Sequence, residues 1–459
     1  MRMSVYEGSL YNLWFGLLAG NYLTGLLLHL HATGLDLGVV AALPALAMLP
    51  QVAFVARVRA VADRRWICGG LGAIHRLGWA LGGLAALFLP HPWGLITFEC
   101  AYGVAWLAMG PINVAWAAYM DDIVTLPIRG RYFGWRTGLT QVVAVVGVLL
   151  GGLILQALPG TRGFLALMLA GLAAGAANVA MWPLHPRVDA PERRGAGGVA
   201  AHPEPVLNGS GDASPGAQAV GRPPWWASAD AHPGSGSGDG LGPGLPPGGR
   251  SARRRTAVPS PHRRAALFFA VWTFVQSLAV PFFPVALEGP LHLAFGELAL
   301  LGALAVLATA LAAAAVGRWQ DRRGELDVVA YGMALLALPP VLLWAALRGG
   351  TPVLVLAHIV FGAGTGMVML STFTLNLRLA PAGAREAHLA VWYAAAGLGS
   401  LVAPLLAGPL TTAHIWPLFT SASAASLVLA AMWRWRVGPS CLGRGSPSAP
   451  PLPATAGSA

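Results

Sequence analysis

The chain has 459 residues, 56% hydrophobic and only 10% charged, with a mean hydropathy of +0.62. A soluble fold of that length has too little interior to hide so much apolar surface, and the apolar residues come in repeated runs of about 20, enough to cross a hydrocarbon core of about 30 Å. The formal charge of +11 does not point to nucleic acid: all 29 basic residues are Arg, and apart from Arg76 and a few near the termini they sit in short loops and one long linker, a placement that reads as membrane topology.

Lipid offers no partner for free backbone groups, so the runs are read as helices; they are too long and too evenly apolar for barrel strands. In chain order the expected spans are Leu10–Leu30, Leu37–Ala56, Ile67–Leu89, Trp93–Tyr119, Thr137–Leu158 and Gly163–Leu184. They resume as Ala265–Leu287, Leu298–Val316, Val328–Leu347, Thr351–Leu377, Ala387–Gly408 and Ile415–Trp433. The first run follows Arg2 and Glu7, has no small-residue cleavage site after it, and is read as a retained span. Cys68, Cys100 and Cys441 are scattered and form neither a disulfide framework nor a metal spacing.

The loops after spans 2, 4, 8 and 10 hold twelve arginines, among them Arg64, Arg129, Arg131, Arg318, Arg322 and Arg385, whereas the opposite loops hold only Arg162 and Arg348. That asymmetry places the first set, and both termini, in the cytoplasm. Residues 185–264 are rich in Gly, Pro, Ser and Ala and read as a disordered cytoplasmic linker, and residues 437–459 as a disordered tail. The expected architecture is therefore all-α and integral to the membrane. Twelve transmembrane helices form two pseudo-symmetric six-helix bundles, 1–184 and 265–436.

Local sequence supports a duplication. The loop after span 2 reads Asp63-Arg64-Arg65, and the loop after span 8 reads Gly317-Arg318-Trp319-Gln320-Asp321-Arg322-Arg323-Gly324; Asp321 follows Asp63 by 258 residues. The same offset pairs Trp14 with Trp272 and brings Glu99 within one residue of His358. Pro127-x-x-x-Arg131 and Pro381-x-x-x-Arg385 match at a slightly smaller offset.

These residues resemble the major facilitator superfamily over essentially the whole chain. That family carries Gly-x-x-x-Asp-Arg-x-Gly between spans 2 and 3 and a weaker copy between spans 8 and 9. Here the second copy is complete, and Arg59 stands where the first needs Gly. The resemblance implies alternating access about a midplane site lined by spans 1, 4, 7 and 10. It also implies a cytoplasmic gate drawn from Asp63, Arg64, Arg129, Arg131, Gly317, Asp321, Arg322 and Arg385, against the alternative that these loops only set topology.

In span 4, Glu99, Gly103, Trp106, Gly110 and Asn113 recur at steps of three and four and share one helical face. Span 10 repeats the pattern with His358, Gly362, Thr365, Met369, Thr372 and Asn376. The small residues are expected to leave room beside a polar stripe, and the two stripes to form walls of a substrate pathway. Asn21 and Thr24 in span 1 and Gln276 in span 7 either join that cavity or bond a neighbouring helix.

A carboxylate inside a span is costly unless protonated, paired or wet. Glu99, His358 and Arg76 are accordingly the candidates for proton coupling, the alternatives being a structural hydrogen bond or exposure at the outer mouth. For Arg76, pairing with Glu99 and snorkelling to the cytoplasmic interface both stand. Trp14 and Trp272 read as interfacial anchors or as rings that stack on a substrate.

No nucleotide-binding loop, His-Glu-x-x-His or nucleophile elbow is present, so no enzyme, cofactor or metal is expected. The leading reading is a monomeric secondary transporter or facilitator of a small solute in the cytoplasmic membrane, with a proton or another ion as coupling partner and no nucleic acid. Two others stand beside it: a membrane-embedded enzyme on a lipid-linked substrate, and a non-transporting sensor or assembly factor of the same fold.

Overall fold

The computed structural model describes residues 2–49, 51, 53, 54, 58, 61, 63–124, 126–187, 260–379 and 385–442. Every regular element among them is helical. In the N-terminal half these are α1 (Arg2–Leu18), α2 (Asn21–His29), α3 (Gly34–Ala42), α4 (Arg64–Phe88), α5 (Trp93–Ile123), α6 (Leu126–Ala157) and α7 (Thr161–Ala180). In the C-terminal half they are α8 (Ser260–Ser277), α9 (Phe283–Glu288), α10 (Phe295–Arg323), α11 (Glu325–Ala337), α12 (Pro339–Leu379), α13 (Arg385–Ala407), α14 (Thr411–Met432) and α15 (Gly438–Leu442).

Among the described residues nine helical stretches are long and apolar enough to cross a membrane. One of them, Glu325–Asn376, contains Gly350 at φ 64°, a left-handed backbone that only glycine adopts freely and that separates two rods. The first expected span falls short of that length for the same reason: Gly20, also at φ 64°, parts α1 from α2. The second is a short α3 continued by a 3-10 turn, Leu43–Ala47.

Span 7 is broken as well. After Ser277 the chain leaves the α-helix, passes through a 3-10 turn at Val280–Phe282 and restarts as α9. Pro281 and Pro284 each remove an amide donor that a continuous helix needs. The break at Leu278–Ala279 lies 258 residues beyond Gly20, the offset that relates the two halves in sequence. Spans 1 and 7 are thus interrupted at equivalent points.

Within each half the helices pack through glycine contacts. Gly16 of α1 lies against the Ala144 carbonyl of α6, where an added Cβ would come within 2.6 Å, and Gly399 of α13 lies against the Ala270 carbonyl of α8 at 2.5 Å. Absent side chains let backbones approach, which is how apolar helices associate without a hydrophobic drive between them.

The boundaries at the expected linker and tail differ from the sequence reading. His185 stacks on Trp182 at 4.7 Å and its carbonyl accepts from Arg65 Nη1 at 2.6 Å, so the chain stays pinned to the N-terminal half past Leu184. Helix α8 starts at Ser260, and the chain remains helical from Trp433 to Leu442, held by the buried Trp433 and Cys441. The rest of 185–264, the residues beyond 442, and Arg59 lie outside the described residues.

Candidate functional site

The two halves meet at the end of the molecule that carries the arginine-poor loops. A methyl on Gly34 of α3 would overlap the carbonyl of Gly408, one on Gly38 that of Pro404, and one on Gly408 that of Gly34. Across the other pair of helices, α6 meets α10: Gly152 faces Ala299 and the Phe295 carbonyl, and Gly296 faces the Gln156 amide. Helix α2 adds polar bonds. Asn21 Nδ2 donates to the Leu298 carbonyl at 3.3 Å, and the Tyr22 hydroxyl donates to the Val148 carbonyl of its own half. Contact continues to mid-span, where Gly397 packs on Met48 and the Ala45 carbonyl.

Helices α5 and α12 carry the two stripes. On α5 the apolar face of Ile96, Val104 and Leu107 is exposed, while Glu99, Trp106 and Asn113 are half-buried against protein. On α12 His358, Thr365 and Thr372 are half-buried, and Leu356 and Ile359 are exposed on another face. Two positions on the stripe sides are exposed, Ala117 on α5 and Met369, 71% exposed, on α12, while Thr372 and Asn376, nearer the arginine-rich end, are half-buried and buried.

The stripes differ from the expectation in what fills their small positions. Gly362 is occupied by the Ala305 carbonyl and Ala308 of α10, and Gly366 by the Thr309 carbonyl, so these glycines seat a helix and leave no free volume. The hydroxyls of Thr365 and Thr372 donate to the Phe361 and Val368 carbonyls of their own helix, at 2.8 and 2.6 Å. His358 Nδ1 meets the Leu354 carbonyl at 2.8 Å, and Glu99 Oε1 is buried without a hydrogen-bond partner. Glu99 and His358 share no hydrogen bond or ion pair among the described residues.

Several polar groups bond within their own half. Gln276 Oε1 accepts from Ser426 at 2.7 Å. Asn376, 1% exposed, bonds His262 Nε2 at 3.1 Å, and His262 packs edge-on against His388 at 4.9 Å and meets Trp392 at 5.9 Å. Thr24 is buried.

Arg76 faces protein, 3% exposed. Its Nη2 lies 3.7 Å from Glu7 Oε1 and its guanidinium 4.9 Å above the Tyr11 ring. Glu7 also meets Arg136 at 3.5 Å, while Asn178 Nδ2 donates to the Glu7 carbonyl at 2.6 Å. Arg136 reaches the Ser4 carbonyl at 3.2 Å. Two arginines therefore share one buried carboxylate, and the Asn178 amide holds its backbone. Glu7 and Asn178 escaped the sequence reading, which placed Glu7 ahead of the first span. Trp14 is wholly buried, edge-on to Trp79 at 5.0 Å and to His75 at 5.2 Å, and is a core residue of the N-terminal half.

At the arginine-rich end Asp63 caps α4. Its carboxylate accepts from the Arg65 amide at 3.1 Å and pairs with the Arg65 guanidinium at 2.9 and 2.7 Å. Hydrogen bonding to that guanidinium holds the Asp63 carboxyl below the usual carboxylate range. Arg64 begins the helix, and Arg322 is exposed in the last turn of α10. In the C-terminal half Glu325 pairs with Arg378 at 3.2 Å and Asp327 with Arg434 at 2.6 Å. The side chains of Arg129, Arg131, Gly317, Asp321 and Arg385 lie outside the described residues.

Residues 265–454 match the model of the Major Facilitator Superfamily. An uncharacterized MFS-type transporter of Mycobacterium tuberculosis is 27% identical over 169 residues, 34% of this chain. The match spans only 29% of that relative's length. Solved structures agree over nearly the whole fold. The nucleoside transporter NupG matches at TM-score 0.62 and 14% identity, covering 94% of this chain and 96% of its own. A bacterial homologue of the iron transporter ferroportin, in an inward-facing state, matches at 0.64 and 11%, covering 95% and 98%. An auto-inhibited POT family peptide transporter matches at 0.63 and 15%, covering 99% and 98%.

Proposed function

We propose that this chain, a member of the major facilitator superfamily, moves a small solute across the cytoplasmic membrane by alternating access. Twelve spans in two bundles, with the arginine-rich loops and both termini on the cytoplasmic side, make up the carrier. The observation that carries the reading is the contrast between the two ends. Backbones touch across the halves at the arginine-poor end, at Gly34 and Gly408, while single positions on the stripe sides of α5 and α12, Ala117 and Met369, are exposed farther along the helices. A crevice open to one side and sealed on the other is what one arrangement of such a carrier requires.

The interrupted spans 1 and 7 support a midplane site, because a broken helix frees backbone groups to face a cavity. Asn21, Thr24, Trp106, Asn113, Gln276, Thr365, Thr372 and Asn376 are the polar lining candidates, with Glu99 and His358 as the proton-coupling candidates. Nucleosides, peptides and metal ions are what the structural neighbours' names record. For this chain the substrate is proposed only as a small, non-polyanionic solute, since the stripes hold no cluster of basic residues.

Uptake of a solute panel into proteoliposomes, with and without a pH gradient, tests the proposal. At least one solute should accumulate faster than in empty vesicles, and Glu99→Gln should change its response to the gradient. Uptake by no solute of the panel, with protein verified as folded and inserted, contradicts transport; a Glu99→Gln response like wild type removes Glu99 from coupling alone.

A further inference from the structure

Glu288 ends α9, the second piece of the broken span 7, at the seam where the two halves are in contact. Its Oε2 lies against Gly25 of α2 in the other half: a Cβ placed on Gly25 would come within 3.2 Å of that oxygen and within 2.7 Å of the Phe295 ring. The missing side chain at Gly25 admits the Phe295 ring and lets the carboxyl lie close beside it. Glu288 Oε1 is buried with no hydrogen-bond partner, and Glu288 makes no ion pair among the described residues.

Among the described residues, no titratable group on the elements packed around it forms a hydrogen bond or ion pair with Glu288. On α2, the Tyr22 hydroxyl donates to the Val148 carbonyl and His29 Nε2 meets Thr161 at 3.0 Å. At the start of α10, Glu297 accepts from the Ala294 amide at 2.9 Å. His292 lies in the intervening turn, and His31 follows α2. Glu288 is half-buried, with Oε1 enclosed without a donor and Oε2 beside Gly25, and burying a charged group without a partner costs more than burying a neutral one. A neutral acid there is compatible with closely packed halves; a charged one favours their separation and access to water.

We propose that Glu288 is a proton-binding site in the seam, protonated when the halves are closed at this end and deprotonated as they part. This deepens the transporter reading and rests on it, because it needs the second arrangement. It adds a coupling residue in the C-terminal half, on the span equivalent to span 1.

The test is the distance between spin labels on cysteines replacing Leu158 and Leu347, exposed positions at this end on opposite halves. The background carries Cys100→Ser, leaving only the buried Cys68 and Cys441. Full-length protein in liposomes is measured from pH 5 to pH 9. The ratio of short to long distances should fall with rising pH, by about tenfold for each unit by which the two arrangements differ in proton affinity. Glu288→Gln, nearly isosteric and permanently neutral, should hold the short distance at every pH, while Glu297→Gln should track the unmodified acid.

A pH response that survives in full in Glu288→Gln overturns the assignment. So does a sodium step at fixed pH that reproduces the whole shift. Distances that respond to solute and not to pH overturn it while leaving the carrier intact. A single distance under every condition overturns both readings.

Discussion

The start of span 1 and the start of span 7 occupy equivalent places in the two halves, and the molecule stabilises them by opposite means. Ser4 and His262 are 258 residues apart, and each anchors its helix to the spans beside it. Around Ser4 the means is buried charge: Glu7 shared by Arg76 and Arg136, with Asn178 on the Glu7 carbonyl. Around His262 it is neutral, with Asn376 as hydrogen-bond partner and His388 and Trp392 as ring contacts. Desolvated charge holds only while every partner is present, whereas a neutral polar cluster loses one bond at a time. The N-terminal bundle should therefore fail abruptly on substitution and the C-terminal bundle by degrees.

Removing the shared carboxylate gives the largest effect. Glu7→Ala leaves two buried guanidiniums without their partner, and a loss of about 3–5 kcal/mol is expected, read from denaturation in mixed micelles. His262→Phe keeps a ring in place and strips Asn376 of its partner, which should cost about 1–3 kcal/mol. Equal losses at the two sites would dissolve the contrast between the bundles.

The smallest effect belongs to Asp63→Asn. Asparagine still caps α4, and the lost pair with Arg65 is partly solvated, so a change of at most about 1 kcal/mol is expected near neutrality. The pH dependence carries the information. Because the folded carboxyl titrates below its unfolded value of about 3.9, its contribution is present above that pH and disappears as pH falls through the lower folded value. Asp63→Asn should flatten that part of the acid limb; an unchanged acid profile would remove the Arg65 pair from the account.

Much of this was legible in advance. Apolar run length located the helices, and the 258-residue offset from Asp63 to Asp321 turned out to carry the helix breaks too. The breaks themselves were harder to read. Gly20 is one glycine in an apolar run, with no local mark of its left-handed backbone, and Ala265–Leu287 reads as one span although Pro281 and Pro284 lie within it. Glu7 and Glu288 were passed over because they sit at span ends, where a carboxylate ordinarily meets water. Only packing shows that Arg76 and Gly25 enclose them. Arg136, one of the twelve loop arginines, likewise carries only a topology signal in the sequence. The stripe glycines misled in the other direction: spacing puts Gly362 beside His358, but spacing does not say that the backbone of α10 fills the gap.

The central claim is a carrier whose seam and crevice open in turn, and reciprocal labelling tests it most directly. Ala299→Cys places a thiol in the seam opposite Gly152, and Met369→Cys places one at the exposed position of the α12 stripe. In oriented vesicles carrying Cys100→Ser, transported solute should change the two labelling rates in opposite directions. Rates that stay fixed at both sites, or rise and fall together, would contradict the account.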